Sequence, residues 1–144
     1  MLLKKRNFYE TFLGLIIKNG QKVQAKSILD TAFFIVSKQT NLSTNSIMLK
    51  TILYLNSFVE IKKIKSKRST HFVPFPLSTK RKFYLISKWV IDSVGEDKRR
   101  LDFATKLADE ILTIVLNKSS KSLLKKNLNF KQSIQNKSNI HFRW

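Results

Sequence analysis

Apolar residues recur along most of this 144-residue chain at intervals of three and four positions, the spacing of one face of an α-helix. Phe8, Phe12, Leu15 and Ile16 predict a first helix near residues 8–18, with Asn19-Gly20 as its C-terminal stop. Ala25, Ile28, Leu29, Ala32 and Val36 predict a second near 21–39, and its two alanines would let another helix approach closely. Thr40-Asn41-Leu42-Ser43 reads as a turn. Ser43 would then cap a third helix whose apolar face is Ile47, Met48, Ile52 and Leu55.

After residue 57 the pattern changes. Residues 58–65 and 71–76 mix β-branched and aromatic residues with lysines and are joined by a polar stretch, the mark of a basic β-hairpin. Pro74 and Pro76 require the second strand to end there or to run along an unpaired edge. Ser78 can cap a fourth helix carrying Phe83, Ile86, Trp89 and Val90, which Gly95 closes. Leu101, Ala104, Leu107, Ala108, Ile111, Leu112 and Val115 predict a fifth helix near 97–116. Beyond it Leu124, Leu128 and Ile134 give only weak periodicity.

The expected fold is therefore mainly α: a bundle of about five to six helices with one protruding basic β-hairpin between the third and fourth helices. A single domain spans 1–144. It comprises a short basic arm at 1–7, the hairpin at 58–76, and a basic, partly helical C-terminal arm at 118–144 that gains order with its partner.

Composition supplies a core and narrows the chemistry. Hydrophobic residues make up 42% of the chain and aromatic residues 11%, enough to exclude wholesale disorder. Zero cysteines remove disulfides, thiol catalysis and thiolate metal sites, and His71 and His141 stand too far apart in sequence to suggest a metal centre. No apolar run reaches the roughly 18–20 residues of a membrane span, and no secretory or import sequence is expected before the first helix.

The formal charge changes the picture most. At +19 the chain repels itself unless a polyanion compensates. The cations are dispersed along nearly the whole chain, which favours nucleic acid over an anionic membrane face. They are 22 Lys and 6 Arg, a balance suited to phosphate and shape recognition more than to reading base edges.

The candidate contacts fall in clusters. Lys62, Lys63, Lys65, Lys67 and Arg68 surround the hairpin turn, where lysines also guard an exposed strand edge against unwanted pairing. Lys18 and Lys22 flank the first inter-helix loop, where a helix start presents unpaired N–H groups; an ordinary helix stop is the plainer reading. Lys80, Arg81 and Lys82 open the fourth helix against its dipole, a cost that an anion would relieve. Lys98, Arg99 and Arg100 follow Glu96-Asp97, with local ion pairs as the competing account. Lys4, Lys5 and Arg6 lie at the amino end, and Lys118, Lys121 and Arg143 in the C-terminal arm. Trp89 sits on an apolar stripe and is read as core. Asp102 and Asp109 are the carboxylates most able to share a face, yet no histidine or assembled site accompanies them. No catalytic residue, cofactor, metal or small-molecule substrate is expected.

Several of these segments occur in the order found in small-subunit ribosomal protein seven, and the chain resembles that family from about Phe8 onward. Ile16-Ile17-Lys18-Asn19-Gly20-Gln21-Lys22 is similar to the family's first inter-helix loop, and Ala25 through Ala32 to its second helix. Val59-Glu60-Ile61-Lys62 and Val73-Pro74 resemble the two ends of its hairpin. Leu85-Ile86-Ser87-Lys88-Trp89 resembles its fourth helix, and Leu107-Ala108-Asp109-Glu110-Ile111-Leu112 its fifth. His141-Phe142-Arg143-Trp144 is similar to its His-Tyr-Arg-Trp ending. Three features depart from the family: Lys67-Arg68-Ser69 stands where a glycine pair is common, Asn117-Lys118-Ser119-Ser120-Lys121 replaces a glycine-rich stretch, and the amino-terminal basic extension is short.

The resemblance implies a structural, nonenzymatic constituent of the small ribosomal subunit. It implies binding to the 3′ major domain of small-subunit rRNA, a part in nucleating the head, neighbouring head proteins as partners, and a hairpin near exit-site tRNA and the mRNA exit channel. The alternative is a non-ribosomal basic RNA-binding or RNA-processing protein. Lysine, asparagine, isoleucine, phenylalanine and serine outweigh arginine, alanine and glycine, which suggests A+T-rich coding DNA and a mitochondrial ribosome, with plastid or bacterial cytoplasm as alternatives.

Overall fold

The computed structural model describes residues 2–65 and 69–142, with side chains from Phe8 onward. Its elements run α1 (Leu2–Ile16), α2 (Lys22–Thr40), α3 (Thr44–Leu55), β1 (Val59–Lys65), β2 (Thr70–Pro76), α4 (Thr79–Gly95), α5 (Phe103–Val115), α6 (Lys121–Gln135) and a 3₁₀ turn, Lys137–Phe142. The mainly helical class and the hairpin's position between the third and fourth helices stand as expected.

The first boundary does not. Apolar spacing starts the first helix at residue 8, yet α1 starts at Leu2 and takes in Lys4, Lys5 and Arg6. Leu, Lys and Arg are strong helix formers, and no glycine or proline interrupts the segment.

Helix ends show how this chain turns corners with few glycines. Asn19 and Gly20 take left-handed φ values of 51° and 75°, and Asn41 and Asn117 do the same at 53° and 56°. Asparagine tolerates this region because its short amide can bond locally. Asn117 makes the left-handed turn between α5 and α6 without a glycine. Gly95, expected to close the fourth helix, is the last residue of α4, and Glu96 after it stays right-handed at φ −79°. Ser43, Ser78 and Ser120 each cap a helix, accepting from the N–H three residues on.

Helices α1 to α5 share one core. Phe8 packs edge-on against Phe83 with ring centroids 5.8 Å apart, and Phe12 against Phe33 at 6.5 Å. Leu29, Ile47, Leu55, Ile86, Leu107 and Ile111 are fully buried around them. Ala25 and Ala32 are buried as well, in keeping with a close helix approach along α2.

Helix α6 is attached differently. Its buried residues are Ser122 and Ser133, and apart from Leu123, which packs against the core, its inward-facing groups are polar. The Glu110 carboxylate accepts from the Ser122 N–H at 2.9 Å and from its Oγ at 2.6 Å. Lys126 Nζ donates to the Tyr54 carbonyl at 2.5 Å. Asn129 Nδ2 donates to the Val59 carbonyl at 2.7 Å.

The two strands pair antiparallel from Val59 opposite Pro76 to Lys65 opposite Thr70. Leu77 N–H donates to the Phe58 carbonyl at 3.0 Å, one step before the first of these pairs. Bonded and non-bonded pairs alternate along such a ladder, so Pro76 and Pro74 fall at non-bonded positions. A missing N–H costs nothing there. The same alternation turns the Val59 and Phe72 carbonyls outward. Asn129 meets the first, and Asn139 Nδ2 meets the second at 3.2 Å.

Candidate nucleic-acid interface

The hairpin's cations are set by strand alternation. Lys63 and Lys65 share one face with Phe72, while Glu60 and Lys62 share the other with Phe75 and buried Val73. Lys62, Lys63 and Lys65 are all exposed. Lys62 Nζ lies 5.0 Å from the Phe75 ring centroid, and Lys63 Nζ 6.0 Å from that of Phe72. These contacts steady two long side chains without neutralising them. Lys67 and Arg68 lie outside the described residues.

The start of α4 folds back on the hairpin root. Arg81 clasps Glu60 through Nε at 2.8 Å and an Nη at 2.5 Å, and its guanidinium lies 4.7 Å from the Tyr84 centroid. The Arg81 hydrogen bonds hold the Glu60 carboxyl below its usual range against the opposing effect of burial, and Lys62 and Lys88 add to the lowering. Lys82 Nζ lies 4.5 Å over exposed Phe58. Arg81 is thus engaged within the protein, whereas Lys80 is exposed and Lys82 half-buried.

The result is a ribbon with cations on both faces, exposed Phe58 and Phe72, and one carboxylate already paired. Such a surface can place ammonium groups on phosphates and offer aromatic faces to unstacked bases.

The turn between α4 and α5 has another character. Six of the nine acidic residues lie between positions 92 and 110. Arg99 bridges Asp97 at 2.6 Å and Asp109 at 2.8 Å, and its hydrogen bonds lower the Asp97 carboxyl to about 2. Lys106 Nζ donates to the Asp97 carbonyl at 3.1 Å, and Lys125 pairs with Glu96 at 2.8 Å. Local ion pairing therefore accounts for Arg99. Lys98, Arg100, Lys118 and Lys121 remain exposed around this acidic neighbourhood.

Lys18 and Lys22 are exposed on either side of the left-handed Asn19-Gly20 pair, and the Gln21 side chain does not cap α2. Lys4, Lys5 and Arg6 lie on α1 with side chains outside the described set, and Arg143 lies outside the described residues. Asp102 is the N-cap position of α5, whereas Asp109 binds Arg99.

Sequence reasoning left several exposed cations out of its clusters. Lys26, Lys88, Lys131 and Lys137 are exposed cations in no predicted cluster. Lys126 is the converse: burial lowers its pKa, and its charge points inward to a backbone carbonyl. Phe72 as the partner of Lys63 could have been found from the hairpin register alone. Asn129 and Asn139 gave no signal, since they act across 70 and 67 residues. Trp89, read as core, is half-buried and faces a groove. His71 stacks on Phe142 at 4.3 Å and shares a hydrogen bond with Ser69 Oγ at 2.7 Å, in keeping with a polar contact.

Residues 3–137 match the family model described as ribosomal protein S7p/S5e. Small ribosomal subunit protein uS7 of Desulfatibacillum aliphaticivorans is 28% identical over 133 residues, covering 92% of this chain and 84% of its own. The uS7 of Metamycoplasma arthritidis is 30% identical over 132 residues, covering 92% and 83%. The uS7m of Reclinomonas americana is 25% identical over 133 residues, covering 92% and 82%.

Proposed function

Because this chain belongs to the ribosomal protein S7p/S5e family, and so is a structural protein of the small ribosomal subunit, we propose that it binds the 3′ major domain of small-subunit rRNA and helps nucleate the head. The hairpin lies in this reading near exit-site tRNA and the mRNA exit channel. The observation that carries it is the exposure of Lys62, Lys63 and Lys65 on a ribbon held along both edges. A rigid mount lets each ammonium meet a phosphate without a large ordering cost. The contact set also takes in Lys4, Lys5, Arg6, Lys18, Lys22, Lys80, Lys82, Lys98, Arg100, Lys118 and Lys121, with Lys67, Arg68 and Arg143 carried over from the resemblance. Arg81 and Arg99 serve by bracing the surface.

The compartment proposed is the mitochondrion, on the strength of the coding bias; relatives come from bacteria and from mitochondrial ribosomes alike. Cell fractionation followed by gradient sedimentation tests address and assembly together. The chain should travel with mitochondrial small subunits and leave them only at high salt. Binding to a 3′-major-domain fragment should weaken with a log-log salt slope of about −7 if roughly eight phosphates are neutralised. A slope near zero would overturn the RNA-binding reading.

A further inference from the structure

Helix α6 is inside out. Its inward face is made of Ser122, Lys126, Asn129 and Ser133, with Leu123 alone among its large apolar residues packed against the core, while Leu124, Leu128, Phe130 and Ile134 are each more than half exposed. A helix whose outer face meets only water has the reverse arrangement, and clustered exposed apolar residues mark a surface that another molecule covers.

Beside Leu128 a groove of about 970 Å³ runs between α6 and the α1–α2 turn. Leu15, Ile28, Trp89 and Phe103 give it apolar walls, and Leu124 extends the apolar edge one turn along α6. Its volume lies at the upper end for concave binding sites. Its charged residues are Lys18 and Lys125 against Asp92 and Glu96, which sum to zero in a chain of +19. Lys125 is moreover committed to Glu96 at 2.8 Å. Asp92 is exposed and enters none of the ion pairs or side-chain hydrogen bonds among the described residues.

We propose that this groove docks a segment of a neighbouring small-subunit protein, one that brings apolar side chains for Trp89 and Leu128 and a cation for Asp92. The inference rests on the small-subunit reading above. An RNA strand laid here would release few counterions from a neutral floor and would bring phosphate toward an uncompensated carboxylate. A protein segment instead removes apolar surface from water and completes the charge of Asp92. Gln24 and Gln132 line the groove from α2 and α6, with amides that can serve main-chain N–H and C=O groups of an extended segment.

The test places the photoreactive residue p-benzoylphenylalanine at Gln24 and, separately, at Gln132, in the full chain assembled into small subunits. Both positions should cross-link to one protein, through a peptide with Lys or Arg beside apolar residues. Asp92→Lys should lower that yield at least fivefold while leaving the salt slope for an rRNA fragment unchanged. Cross-links to rRNA, no cross-links, or a yield insensitive to Asp92→Lys in subunits that contain the chain would overturn this inference alone. A chain that never enters small subunits would overturn the functional reading as well.

Discussion

Asn129, midway along α6, donates to the Val59 carbonyl at the foot of the hairpin across 2.7 Å and 70 residues of sequence. Asn139 does the same for Phe72 on the opposite strand. A two-stranded ribbon alone is marginal in water, and here both outer edges are met by amides from the C-terminal segment.

Asn129→Ala should leave the Val59 carbonyl with the Ser57 Oγ alone as donor and cost about 1 kcal/mol. Hydrogen exchange should quicken from Val59 to Lys65 while the core of α2 and α5 keeps its protection. Uniform loss of protection would show that the hairpin and bundle open together.

Glu110→Ala should strip the Ser122 N–H and Oγ of their shared acceptor, costing about 1–3 kcal/mol. Ser120→Ala at the cap should cost about 1 kcal/mol. Urea titration reads both, and limited proteolysis should locate the added cleavage after residue 116.

Asn117→Gly should be close to neutral, because glycine accepts φ 56° without strain. Asn117→Val should destabilise by about 1–2 kcal/mol. Equal melting temperatures for the two variants would contradict the left-handed turn.

Glu60 and Asp97 both have folded-state pKa values below their ordinary 4.5 and 3.8. A depressed carboxylate stabilises the fold above its unfolded pKa and loses that contribution as pH falls through the folded value. Melting temperature should therefore hold from pH 7 to about 5 and decline below about 4.5, with the Asp97 part extending to about pH 2. In Glu60→Gln and Asp97→Asn the wild-type advantage at pH 7 should shrink on acidification. An advantage that grew instead would mean that these carboxylates are raised, not lowered, by folding.

Replacing Lys62, Lys63 and Lys65 by alanine should flatten the log-log salt slope of RNA binding by about 0.9 for each phosphate no longer neutralised. Arg99→Ala should leave that slope unchanged while lowering stability, since Asp97 and Asp109 already occupy its guanidinium.

The bundle was legible because its core uses apolar residues at helical spacing. Phe8, Phe12, Leu29, Ile47 and Ile111 are read inward from periodicity and lie there. Helix α6 was only weakly legible because its inner face, apart from Leu123, is serine, lysine and asparagine, so Leu124 and Leu128 gave a stripe that points the other way. The hairpin cations were readable as exposed lysines, but which arginines would be consumed internally was not. Arg81 meets Glu60 from 21 residues away and Arg99 meets Asp109 from ten. Trp89 was misplaced for a related reason: its stripe is apolar, but the third wall beside it is a groove.

The polar seam that fastens α6 also sets an order of events during synthesis. Ribbon and fasteners are separated by 70 and 67 residues, so a nascent ribbon emerges with bare edges and waits while α4 and α5 are translated before Asn129 arrives, and the rest of α6 as well before Asn139 does. Until then its unpaired strand edges stay open to water and to stray strand pairing.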